Sequence, residues 1–170
     1  MDRVNITTVT TAKGPAEQRA IGMYLIEKIH DGIPKTIEGF LVREHITSKE
    51  LTLQLFANAI HIVNKLDIEF ESIACYFDEP FITSAFQNNW IDNWKSNEWK
   101  TIKGKEIANA QTWKTVCSMI ENCTKRFIYM GEKSSYTNWM NTQCMKKEKE
   151  LEQVDVAERS IAEIKRRLGE

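Results

Sequence analysis

The hydrophobic pattern of this chain changes period after Thr47, and that change restricts its fold more than any other feature. Before it, three runs read as strands. Residues 4–11 (VNITTVTT) are rich in β-branched side chains and end at Lys13-Gly14-Pro15. Residues 21–29 (IGMYLIEKI) close at His30-Asp31-Gly32, and residues 36–45 (TIEGFLVREH) follow. Such short links favour an antiparallel meander. After Thr47 the apolar positions are Leu51, Leu55, Phe56, Ala59, Ile60 and Val63, the stripe of an amphipathic helix capped by Thr47 or Ser48. Residues 72–77 (SIACYF) are almost wholly apolar, as in a strand buried on both faces.

Pro80 suits the first turn of a second helix running through Phe81, Ala85, Phe86 and Trp90. Residues 109–122 read as helix, 126–130 (RFIYM) as a last strand, and about 136–168 as helix. The order βββ-α-β-α-α-β-α predicts an α/β fold with a five-stranded mixed sheet. Three strands form the meander, two run parallel, and helices flank the faces.

Composition narrows the function. Lys+Arg is 23 and Asp+Glu is 24, a formal charge of −1, which excludes a polycationic nucleic-acid sponge and an acidic solvating tail. No run approaches the roughly 18 apolar residues of a membrane helix. The N-terminal residues lack the pattern of a secretion signal. Cys75, Cys117, Cys123 and Cys144 form no C-x-x-C pair, and His30, His45 and His61 all lie upstream of the last three of them. The expectation is reduced thiols and a cytoplasmic chain without a membrane partner. The histidines pair in sequence with no nucleophile, and no phosphate-loop glycine pattern occurs.

Charge is nonetheless segregated. Residues 95–126 hold Lys95, Lys100, Lys103, Lys105, Lys114, Lys125 and Arg126 against Glu98, Glu106 and Glu121, a local surplus of four. Trp90, Trp94, Trp99 and Trp113 are interleaved with them. Local basic charge among aromatics is the footprint of phosphate contact, although tryptophans also pack small helical lobes.

This stretch resembles the basic protrusion of bacterial-type ribonuclease H. The matching words are Trp90, Trp94-Lys95, Trp99-Lys100-Thr101, Gly104-Lys105, Asn109 and Trp113. Residues 73–86 (IACYFDEPFITSAF) resemble the family's fourth strand and following helix, and the similarity spans about residues 3–145. The resemblance implies hybrid-directed hydrolysis by four carboxylates around two divalent metals, which require anionic oxygen ligands. At those positions this chain has Val9, Thr52, Asp78 and Asn141, one carboxylate of four. Gly131-Glu132-Lys133-Ser134 stands where the family has a mobile His loop. Glu50, two residues before Thr52, points about 160° away from it on a helix. Glu79 and Glu132 are closer acids, but nothing in the sequence replaces the strand-one aspartate. Asp78 itself has a plainer role, closing a strand ahead of a helix N-terminus, that needs no metal.

The resulting expectation is a ribonuclease H-like domain that has lost cleavage, uses no cofactor, and binds RNA–DNA hybrid or structured RNA. Lys95, Lys100, Lys103 and Lys105 would touch phosphates, with Trp94 and Trp99 positioning the lobe. Two alternatives remain open: a protein-interaction module on the same fold, and an active ribonuclease with relocated carboxylates using Mg²⁺ or Mn²⁺. Residues 1–145 form the ribonuclease H-like domain and 146–170 a helical extension. Leu151, Val154, Ala157 or Glu158, Ile161, Ile164 and Leu168 fall at 3/4 spacing in that extension. This stripe would either dock on the sheet or pair with a second copy of the chain.

Overall fold

The computed structural model describes residues 2–66 and 68–169. Its strands are β1 (Arg3–Thr10), β2 (Gln18–His30), β3 (Ile33–Ile46), β4 (Ser72–Phe77) and β5 (Arg126–Met130). The helices are α1 (Ser48–Lys65), α2 (Pro80–Gln87), α3 (Trp90–Ser96), α4 (Ala110–Glu121) and α5 (Thr137–Leu168). The sheet order is β3-β2-β1-β4-β5, with β3/β2/β1 antiparallel and β1/β4/β5 parallel. The expected five-stranded mixed sheet is therefore present.

Strand alternation assigns the two faces. Val4 and Ile6 of β1 join Ile73, Cys75 and Phe77 of β4 under α1, whose Leu53, Phe56, Ala59, Ile60 and Val63 complete the main core. The Thr47 hydroxyl accepts from the Glu50 amide at 3.2 Å and starts that helix. At Gly22 of β2 an added Cβ would stand 2.5 Å from Leu55 Cδ1, so α1 sits on the sheet at van der Waals range only because this position lacks a side chain. On the opposite face Val9, Ile21, Met23 and Leu25 meet Met140 and Cys144 of α5.

Two expectations are corrected. The helix drawn from Pro80 through Trp90 is two helices, because Asn89 takes φ 59° and breaks it after Gln87. Asparagine tolerates this left-handed backbone where most residues do not, and the Asn88-Asn89 pair was the available signal. Strands β2 and β3 also run longer than their apolar stretches, extending as a hairpin tip around Asp31 and Gly32. Helix α5 continues unbroken through residues 145 and 146, so the C-terminal segment prolongs a helix already docked on the sheet. Among the described residues, no helix is long and apolar enough to cross a membrane.

Candidate functional site

Two places draw together the residues singled out by sequence. The first is the junction where β1 and β4 end side by side, the crevice that an open α/β sheet offers to ligands. The Asp78 amide donates to the Thr8 carbonyl at 3.3 Å, continuing the β1/β4 ladder by one residue. The Thr10 amide in turn donates to Asp78 Oδ2 at 3.0 Å. Asp78 Oδ1 is buried without a hydrogen-bond partner among the described residues. Burial pushes the Asp78 carboxyl up to about 6, and neighbouring Glu79 adds to the rise, while the Thr10 amide and the more distant Lys133 oppose it.

The surrounding oxygens are mostly engaged. Ser48 donates to Glu79 Oε2 at 2.8 Å and lies 3.4 Å from the Thr10 hydroxyl. Glu79 Oε1 caps α2 by accepting the Phe81 amide at 3.4 Å. Thr52 is fully buried, and its hydroxyl donates to the Ser48 carbonyl one turn back at 2.8 Å. Val9 is fully buried among Met23, Met140 and Cys144 on the face under α5, and Asn141 follows Met140 in a half-buried position. Glu50 Oε1 is committed elsewhere, accepting Thr112 Oγ1 at 2.6 Å and Gln54 Nε2 at 3.2 Å to tie α1 to α4, while Oε2 is buried with no hydrogen-bond partner among the described residues. Glu132 is exposed. Among the described residues, no three His, Cys, Asp or Glu side chains converge on a point where a metal ion could sit. A cavity of about 650 Å³, lined by Ile26, Ile37, Leu66 and Ile68, lies at the opposite end of β1 beside Asp2.

The second place is the lobe between α3 and α4. Trp113 is buried against Phe86 and meets Trp94 edge-on at 5.1 Å. Trp94 also stacks on Phe81 and leans on Trp99 at 6.2 Å, while Trp90 packs edge-on to Phe81. The tryptophans thus build the lobe's base, and Trp94 and Trp99 are half-buried in it.

On that base residues 99–107 fold back as a tight turn. The Ile107 amide donates to the Trp99 carbonyl at 2.8 Å, the Thr101 amide to Lys105 at 2.6 Å, and the Gly104 amide to Thr101 at 2.9 Å. Gly104 takes φ +82°, the backbone that closes the turn. Lys100, Lys103 and Lys105 are all exposed on it, and Ile102 at its tip stands entirely in solvent at 103 % exposure. Sequence reasoning missed Ile102, whose only signal was an isolated aliphatic residue inside the polar run TIKGK. Lys95 does not join the three. Its ammonium reaches back to Glu121 on α4 at 2.5 Å, and that hydrogen bond holds its pKa above the usual lysine range.

The meander-plus-parallel sheet, with one helix layer over each face, defines a ribonuclease H-like fold. A crystal structure of LC9-RNase H1, a type 1 ribonuclease H with the type 2 active-site motif, superimposes with a TM-score of 0.68 at 13% identity, covering 86% of this chain and 72% of that one. The structure of LC11-RNase H1 in complex with an RNA/DNA hybrid superimposes with a TM-score of 0.54 at 9% identity, covering 81% and 92%. In sequence, the chain is similar to bacterial ribonuclease H. It is 26% identical over 146 residues to the Clostridium botulinum enzyme, covering 86% of this chain and 93% of that one. No family model matches the chain.

Proposed function

We propose that this chain binds RNA–DNA hybrid through the 99–107 turn and does not cleave it. The observation that carries the reading is the turn itself. Three exposed lysines are held within six residues by the turn's own backbone bonds on an aromatic base, in a chain whose net charge is −1. Lysines held this way meet phosphates with little loss of backbone freedom, and they read helical shape without reading sequence. Ile102, projecting between them, adds an apolar contact to sugars or a groove wall.

The absence of cleavage rests on donor chemistry. Two divalent cations a few ångström apart need several anionic oxygens to hold them and to offset their charge. At the ends of β1 and β4 the available anions are Asp78, with one oxygen already accepting the Thr10 amide, and Glu79, whose two oxygens hold Ser48 and the α2 cap. The matching β1 position is a valine turned into the apolar layer under α5. This donor set does not fit a metal pair.

The test is a salt titration of binding to a fluorescent hybrid, with structured RNA and duplex DNA as parallel arms. Three phosphate contacts predict a log–log slope of about −2 to −3, equivalent to roughly a 40-fold loss between 50 and 200 mM salt. Replacing Lys100, Lys103 and Lys105 together by alanine should flatten that slope to near zero. A slope unchanged in the triple variant refutes the assignment of the turn.

A further inference from the structure

The distal end of α5 carries an apolar seam that no other element covers among the described residues. The helix packs on the sheet through Met140 and Cys144, with Leu151 at the margin. Its last tie to the body is Asp155, paired with Arg19 of β2 at 2.6 Å. Beyond that point Val156, Ile161, Ile164 and Leu168 are between 54 and 72 % exposed. Helix residues 156–168 therefore project about 20 Å past the sheet. Such a solvated helix gains nothing from four exposed aliphatic positions unless another surface meets them.

We infer that this segment pairs with the same segment of a second copy as a short antiparallel coiled coil. The inference does not depend on the nucleic-acid reading. Val154, Ile161 and Leu168 fall at heptad position a, with Ala157 and Ile164 at d. The flanking e positions are Glu158 and Lys165, and the g positions Ser160 and Arg167. Charge decides orientation. In a parallel pair g faces e of the next heptad, so Ser160 would face the partner subunit's Lys165 and Gln153 the partner subunit's Glu158, with no ion pair formed. In an antiparallel pair e faces e, and Glu158 meets the partner subunit's Lys165 twice by symmetry.

The layers then match in size. Ile161 packs on the partner subunit's Ile164, and Leu168 fills the space left by the partner subunit's Ala157. The overlap covers residues 157–168, the stretch that projects clear of the sheet, so the two bodies sit beyond opposite ends of the pair without collision. Glu163 stays within its own helix, bonded to Arg166 and Arg167 at 2.8 and 3.0 Å, and leaves the seam apolar. An interface this small lies at the low end of specific contacts, below roughly 1,200 Å², so association should be reversible and concentration-dependent.

Sedimentation equilibrium of the full chain tests this. The mass should rise from 19.8 kDa toward twice that value across the micromolar range. Ile161→Asp with Ile164→Asp should remain monomeric at every concentration, with the thermal midpoint of the dilute wild-type chain, since both side chains are solvent-exposed in the single chain. Lys165→Glu should weaken association about tenfold, and Glu158→Lys added to it should restore it. A wild-type chain that is monomeric throughout overturns the inference and leaves the seam to a different protein. A dimer that survives the two aspartates, or that ignores Lys165→Glu, also overturns it.

Discussion

Asp78→Asn separates a structural acid from a metal ligand through its pH dependence. In the folded chain the Asp78 carboxyl is pushed up to about 6, chiefly by burial, against an ordinary 3.8. Above pH 6 both folded and unfolded chains carry the ionised form, and the folded state bears the whole cost of burying it, about 3 kcal/mol. Below 3.8 both are protonated and that cost is gone. Asp78 therefore contributes stability at low pH that is lost as the pH rises from 3.8 through about 6. Asparagine keeps an oxygen for the Thr10 amide and carries no charge, although its amide nitrogen inherits the unpartnered position of Oδ1. That orphaned donor offsets part of the gain, leaving the variant about 1–2 kcal/mol more stable than wild type at pH 8.

The sharper number is the change with pH. The advantage of Asp78→Asn should fall by about 2 kcal/mol between pH 8 and pH 4.5. Urea unfolding of both chains at matched pH measures it, and comparing the two cancels every other titrating group. An advantage independent of pH refutes the reasoning. So does an asparagine variant less stable at pH 8, because some cation would then be holding the carboxylate ionised.

Two packing predictions follow from the same geometry. Gly22→Ala places a methyl 2.5 Å from Leu55 Cδ1 and 3.1 Å from Leu51 Cγ, two side chains with no exposed surface into which to move, and should lower stability by about 1–3 kcal/mol in urea unfolding. Trp113→Ala removes the buried support of Trp94 and should cost about 3–5 kcal/mol in the same assay, with hybrid affinity falling alongside as the lobe loosens.

Much of this architecture was readable from local pattern. The Thr47 cap, the α1 stripe and the uniformly apolar β4 each follow from side-chain periodicity and hydrogen-bonding chemistry, which act over a few residues. What escaped depends on tertiary partners. Lys95 reads as one of four phosphate-facing lysines until α4 brings Glu121 against it, 26 positions along the chain. Glu50 reads as an acid close in sequence to the Thr52 position, yet Thr112 claims it across 62 positions. Ile102 shows its character only once the 99–107 turn lifts it clear of every neighbour. The division of α5 into a docked half and a free half likewise follows from where the sheet ends, because the 3/4 apolar spacing runs through both.

Binding without turnover is tested most directly by incubating the purified chain with an end-labelled RNA–DNA hybrid at low salt, with Mg²⁺ and separately with Mn²⁺, and resolving both the complex and the strands. The hybrid should be retained with its RNA strand intact under either ion. RNA cut by the wild-type chain and spared by Asp78→Asn would contradict the account.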